Sequence, residues 1–257
     1  MTNADHESVR FERRGHVAVI TLNRPAMRNA VDAGIAQGLE LAIDTLDGTT
    51  ELRAGVLAAE GPAFCAGADL RLIAEGRREE MYTERGGFAG LTARSRIKPL
   101  IAAVEGPAVA GGMELLLACD MIVASTGAIF ALPEVKRSLV AAGGGLFRAP
   151  QVLPRGVALE MLLTGDPLSA ARAHELGLVV ELCEAGEATA RAIALAKRIA
   201  VNAPLAVQRS LREVTASEEA ELWRRSRQAM DEILRTEDAQ EGPRAFLERR
   251  SPEWSGR

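Results

Sequence analysis

The sequence predicts one α/β domain that ends in a helical C-terminal part. Three observations predict it. β-rich runs alternate with helical patterns through the first two thirds of the chain. From Arg155 onward helical patterns dominate. The central stretch from Ile101 to Ser125, IAAVEGPAVAGGMELLLACDMIVAS, reads as apolar strand, small-residue turn, apolar helix and second apolar strand.

Taken in order, Val17–Leu22 (VAVITL) is a β-rich run closed by the turn signal Asn23-Arg24-Pro25. Val31 to Leu46 is an amphipathic helix, with Ile35, Leu39, Ala42, Ile43 and Leu46 at helical spacing and Glu40, Asp44 and Asp47 facing away. Gly55–Ala59 is a short buried strand leading into the loop Ala63–Leu70, rich in small residues. Arg71 to Arg96 carries six arginines and reads as mobile surface structure, a solvated face or a broken helix over a pocket. Beyond the central stretch, Ala128–Leu132 is a short apolar run, Val140–Gly145 a small-residue turn, and Leu146–Leu153 a helix started by that turn. Helices follow over Val157–Leu163 and Ser169–Leu176, the second capped by Ser169 and stopped by Gly177. A strand at Val179–Cys183 precedes helices at Ala188–Ala200, from Pro204, at Glu218–Arg235 and at Glu241–Arg250.

Composition sets bounds. With 257 residues, 47% hydrophobic and 26% charged, the chain is an ordinary globular protein with enough length for a full core. A net charge of −4 makes no case for nucleic acid. The N-terminal MTNADHESVRFERRG lacks the apolar core of a signal peptide, and no run is long enough to span a membrane, so a cytoplasmic protein is expected. Cys65, Cys119 and Cys183 lie far apart without CxxC spacing, which predicts reduced, buried thiols. There is no HExxH, no His/Cys cluster with zinc spacing and no GxSxG elbow, so neither a metal nor a serine hydrolase is expected. Of the three histidines, His6 lies in the terminus, His16 starts a strand, and His174 sits among charges on a helix surface.

Two carboxylates stand out. Glu114 follows Ala110, Gly111, Gly112 and Met113 inside an apolar stretch, where a lone acid is costly without a task or a partner. Glu134 lies 20 residues later beside another turn. Such a pair can hold a water and divide acid and base work; equally, each can be exposed or salt-bridged. The small residues before Glu114 let a ligand approach the backbone, and the first N–H groups of a helix starting there would face a negative oxygen.

Phe64–Leu70 (FCAGADL), Ile101–Gly106 (IAAVEG), Ala110–Leu115 (AGGMEL) with Cys119-Asp120, Phe130–Glu134 (FALPE), Leu162–Gly165 (LLTG) and Ala173–Val179 (AHELGLV) strongly resemble the crotonase (enoyl-CoA hydratase/isomerase) superfamily, from about Val9 to Arg250. The resemblance implies a β-β-α spiral core over residues 1–200 and a C-terminal helical trimerisation region over 201–257. It implies a homotrimer, often a dimer of trimers, and an acyl-CoA thioester substrate with no separate cofactor. Carried over position by position, the backbone N–H groups of Ala68 and Gly111 form the oxyanion hole. Glu114 acts as base on the attacking water, and Glu134 supplies the proton to the α carbon. Ala66, Asp69 and Leu70 line the adenine end of CoA, and Arg28 lies near its phosphates and pantetheine. Ala30, Gly112, Pro133 and Ala142 complete the substrate-binding positions. Phe246 and Arg249 match positions that reach a CoA held mainly by a neighbouring subunit.

Possession of both glutamates favours reversible hydration of a trans-2-enoyl-CoA. An isomerase would need one of them, and a non-catalytic acyl-CoA binder neither. One departure concerns Leu139–Arg148 (LVAAGGGLFR), which stands where typical hydratases carry a segment of the type IPGAGGTQRL. Ala142 replaces a glycine that helps seat water and substrate, and Phe130–Gly145 is more similar to the carnitinyl-CoA dehydratase branch.

Overall fold

The computed structural model describes residues 8–215 and 219–257. The expectations for His6 and for a helix start at Glu218 lie outside the described residues.

Alternation within a few strands organises the core. In β2 (Val17–Leu22), Val17 and Val19 face one side of the sheet, and Ala18, Ile20 and Leu22 face the other. The same split runs through β3 (Ala54–Ala59), β6 (Leu100–Val104) and β8 (Met121–Ser125). One face packs on Ile35, Leu39, Ala42, Ile43 and Leu46 of α1 (Ala33–Gly48). The other packs on Ala188, Ala192, Ile193 and Ala196 of α7 (Ala188–Ala200). Both faces are covered, which is why these strands read as unbroken apolar runs. With β1 (Val9–Arg14) at one edge, the sheet order is β1-β2-β3-β6-β8-β11, parallel except for the first pair. β11 is Glu181–Cys183.

Two segments depart from expectation. The polar N-terminal stretch contains an edge strand, β1 (Val9–Arg14), antiparallel to β2 with Val9 opposite Leu22. Its charges are the ordinary decoration of a sheet edge and hide the alternation. Residues 71–96 are solvated in part, with Arg71, Arg77 and Arg85 more than half exposed, but they also carry secondary structure and core residues. They form α2 (Leu70–Ala74), a 3-10 turn (Arg78–Met81) and a small hairpin of β4 (Tyr82–Thr83) and β5 (Gly87–Phe88). Met81, Phe88, Ala89 and Leu91 enter the core, and the arginines are largely paired, Arg85 and Arg94 both with Asp44 of α1.

A second sheet carries the turn before Glu114. β7 (Ala108–Val109) runs parallel to β9 (Ile129–Ala131), and β10 (Leu168–Ser169) pairs antiparallel on the far side. α3 (Gly111–Leu117) starts directly after β7. Its C-terminal end is clamped by Arg96, which bonds the Ala118 carbonyl at 2.7 Å and pairs with Asp120 at 2.9 and 3.0 Å. Asp120 also accepts from Leu100 N at 2.7 Å. Arg96 and Asp120 are nearly buried, so removing one leaves a buried charge uncompensated. Asp120→Ala is expected to cost about 3–5 kcal/mol in urea unfolding.

α4 (Gly145–Val152), α5 (Arg155–Thr164) and α6 (Ala170–Glu175) follow, the last capped as expected by the Ser169 hydroxyl, which accepts from Arg172 N. α8 (Pro204–Thr215) buries none of its residues, and Leu205 and Val214 are 78% and 85% exposed. α9 (Glu219–Leu234) returns Trp223 onto Phe147 with ring centroids 5.1 Å apart. α10 (Asp238–Glu248) lies on α2 and on a 3-10 turn, Glu134–Arg137. A Cβ at Gly242 would stand 2.3 Å from the Arg137 carbonyl oxygen, so only glycine allows this approach.

Candidate active site

Two small-residue loops, one at Gly67 and one at Ala110-Gly111, touch. At Gly67 (φ +88°) a Cβ would lie 2.9 Å from the Ala110 Cβ and 3.0 Å from Gly111 N. Val31 N donates to Gly67 O at 2.8 Å, and Asp69 N donates to Val31 O at 3.0 Å. That bridge holds the loop from both sides of Ala68 and leaves the Ala68 N–H out of it. Ala110 (φ +52°) donates to Ala131 O at 2.9 Å, and the helical bonds of α3 begin with Met113 and Glu114 on Ala110 O. The N–H of Gly111, first in its helix, therefore has no intrahelical partner. Among the described residues neither Ala68 N–H nor Gly111 N–H has an acceptor. Gly112 is pressed against the other loop, since a Cβ there would stand 2.2 Å from Cys65 O.

Glu114 is 5% exposed and Glu134 is 9% exposed. The turn expected at Val140–Gly145 is the seat of Glu114. Gly145 N donates to Glu114 Oε1 at 3.0 Å, and a Cβ at Gly143 would stand 2.5 Å from Oε2. Glu134 opens its 3-10 turn with Oε2 buried and without a hydrogen-bond partner among the described residues. Burial pushes both carboxyls above their ordinary range, and the charge of Glu114 pushes Glu134 further. The Gly145 and Gly143 N–H groups and Arg148 favour the charged form of Glu114. The asymmetry favours ionisation of Glu114 over Glu134.

This arrangement sets a stability signature. A carboxyl raised on folding contributes fully at low pH, and that contribution is lost as pH rises through its folded value. Glu134→Gln removes the loss. Its melting temperature is expected to gain on the parent between about pH 5 and pH 8, from the ordinary carboxylate range up to the raised value of about 8, by roughly 2–4 °C per 1 kcal/mol relieved. A difference that does not change with pH contradicts the burial of an unpartnered acid.

The other expected positions are spread over several elements. Arg28 is exposed, in a left-handed conformation (φ +51°), and its carbonyl accepts from Ala66 N at 3.0 Å. Ala30 is buried beneath, its carbonyl bonded by Arg24. The Asp69 carboxylate is engaged within the chain: it caps α2 through Arg71 N at 3.2 Å and pairs with Arg71 at 3.0 Å and Arg24 at 3.6 Å. Leu70 begins α2, and Pro133 precedes the Glu134 turn. Ala142 has a negative φ, so its methyl adds no backbone strain, and its N–H donates to Val140 O at 2.8 Å. Phe246 reaches the same chain's Arg137, 4.5 Å from the ring centroid. Arg249 is exposed at the end of α10.

Two aromatic residues were not singled out from the sequence. Phe88 lies against the Gly111 turn, since a Cβ at Gly111 would meet its ring at 2.4 Å. Tyr82 packs edge-on to Phe88 at 5.6 Å. Burial and the charge of Glu114 push its phenol up to about 12. Their only sequence signal is apolar rings within an arginine-rich stretch. The three cysteines are free thiols, Cys65 and Cys183 buried and Cys119 partly so. His16 and His174 are exposed, each with Nδ1 at a backbone carbonyl, Glu51 O and Val179 O. No helix among the described residues is long and apolar enough to cross a membrane.

The enoyl-CoA hydratase/isomerase family model matches residues 12–257. The chain belongs to this family. Enoyl-CoA hydratase EchA19 of Mycobacterium tuberculosis is 39% identical over 255 residues, covering 96% of each chain. Carnitinyl-CoA dehydratase of Proteus mirabilis is 40% identical over 260 residues, covering 98% of this chain and 99% of its own. The structure of EchA1_1 from Mycobacterium paratuberculosis superposes with a TM-score of 0.94 at 48% identity, covering 98% of this chain and all of that one. This crotonase-superfamily member thus has the crotonase fold, and it is a hydro-lyase of the hydratase type.

Proposed function

We propose that the enzyme adds water reversibly across the 2,3 double bond of a trans-2-enoyl-CoA thioester. The observation that carries this reading is the pair of buried glutamates, one bonded by a backbone N–H group and one left without a partner, beside two uncommitted N–H donors. Ala68 and Gly111 N–H bind the thioester oxygen and stabilise the enolate-like charge that builds there. Glu114 takes a proton from water as the oxygen attacks the β carbon. Glu134 gives its proton to the α carbon, and the proton taken by Glu114 replaces it over the cycle. In the reverse direction the two roles exchange. CoA is part of the substrate, and Arg28 and Ala66 border its path, with Asp69 serving mainly to hold the loop. The test is loss of the conjugated enoyl-thioester absorbance on mixing with crotonyl-CoA, with a product heavier by one water. No turnover of any trans-2-enoyl-CoA, with tight thioester binding, would leave a binding protein.

A second reading, dehydration of a carnitinyl-CoA thioester, is favoured by the 40% identical Proteus mirabilis relative and uses the same two carboxylates in reverse. We further propose that residues 1–200 form the catalytic core and 201–257 a region for self-association as a homotrimer or dimer of trimers. The bare apolar side chains of Leu205 and Val214 on α8 support this. Three free thiols suit a reducing, cytoplasmic setting.

A further inference from the structure

The glycine turn that seats Glu114 has something behind it. At Gly143 and Gly145 a Cβ would point at the Glu114 carboxylate, 2.5 Å from Oε2 and 3.2 Å from Oε1. At Gly144 (φ +114°) it would point elsewhere, 3.0 Å from Arg148 Nη1 and 3.5 Å from Trp223 Cη2. Glycine is required there twice, for the left-handed backbone and for the close approach of both side chains. Arg148 belongs to α4 and is fixed on this side of the turn. Its Nη1 donates to Thr92 O at 2.7 Å, and its guanidinium carbon lies 5.3 Å from the Phe147 ring centroid and 5.3 Å from that of Trp223. Trp223 comes from α9, in the helical C-terminal part.

Few charged groups act at this position. α3 packs on β7, which carries no titratable side chain, and on α4, whose one titratable side chain is Arg148. Glu134 on its 3-10 turn and Tyr82 of β4 feel the charge of Glu114, and neither is a cation. We infer that Arg148 is a positioning residue for Glu114, a positive charge set behind the turn that seats the base, and that Trp223 of the C-terminal helical part holds it there. The inference rests on the hydratase reading and adds what governs its base. Burial pushes the Glu114 carboxyl up, and a guanidinium across a narrow turn opposes that push.

The test is the pH profile of kcat/KM for crotonyl-CoA in the parent, Arg148→Lys, Arg148→Met and Trp223→Leu. Expected for Arg148→Met is a rising limb moved to higher pH, with a loss of about tenfold below the limb for each unit moved and little loss above it. Arg148→Lys keeps the charge and a limb near the parent's. Trp223→Leu moves the limb the same way by less, because the guanidinium gains water. An unmoved limb in Arg148→Met, or a loss equal at every pH, overturns the inference and leaves the hydratase reading standing. Melting temperatures identify the folded variants. Where Arg148→Met does not fold, Trp223→Leu decides, and an unmoved limb there overturns the inference. If the parent hydrates no enoyl-CoA, the hydratase reading falls, and carbon-13 NMR titration of Glu114, with its signal assigned by Glu114→Gln, decides instead. A higher midpoint in Arg148→Met supports the charge behind the turn, and an unchanged midpoint overturns it.

Discussion

Glu134→Gln lowers kcat for enoyl-CoA hydration by roughly 10²- to 10⁴-fold, the range general acid–base groups contribute. The substitution keeps shape and removes only the proton that Glu134 delivers to the α carbon. Affinity for a saturated acyl-CoA stays near the parent value, because the N–H groups of Ala68 and Gly111 and the CoA-side loops are untouched. Glu114→Gln produces a loss of the same order for a different reason. The amide cannot accept a proton from water, and its NH₂ end does not suit the Gly143 and Gly145 N–H groups that seat the carboxylate. The double variant is expected to be little worse than either single one, since two groups that act on one water and one double bond fail together. Full activity in either single variant would remove the two-carboxylate mechanism.

Ala68→Pro is the second large effect. Proline deletes one backbone N–H, and the Ala68 N–H has no acceptor within the described chain, so no internal bond is lost. Gly67 precedes it and tolerates the restriction that proline imposes on its neighbour. Loss of one oxyanion donor is expected to cut kcat by roughly 10²- to 10³-fold. A melting temperature close to the parent's would show that the loop has kept its place. Unchanged kcat in a folded variant would place the thioester oxygen elsewhere.

Much of the fold is legible in the sequence because the central sheet is buried on both faces. The run Val17–Leu22 matches its strand at both ends, and the helix over Ala188–Ala200 does the same. The helix expected from Val31 starts two residues later, because Asp32 leaves the helix to cap it through Ile35 N. β1 escapes because only Val9 and Phe11 interrupt its charges. The hairpin at 82–88 escapes because its few apolar residues stand among polar and charged ones, and Arg85, half exposed, ties it to Asp44 of α1. At the site, residue type and spacing left open whether Glu114 and Glu134 act as a pair. Their shared chemistry came from the resemblance, and their burial and mutual charge effect come from the fold. The glycines at 143–145 read as turn chemistry. Their part in seating Glu114 depends on contact across about 30 residues, which no local pattern encodes.

The pH dependence of kcat/KM for hydration tests the central claim most directly. Glu114 must be ionised and Glu134 protonated, and burial holds the pair above the ordinary carboxylate range. The predicted profile is a bell whose rising limb lies above that range and whose falling limb lies higher still, both belonging to the coupled pair. A rate that rises once with an ordinary carboxylate inflection, and then stays flat to alkaline pH, would contradict a protonated Glu134 and with it the mechanism.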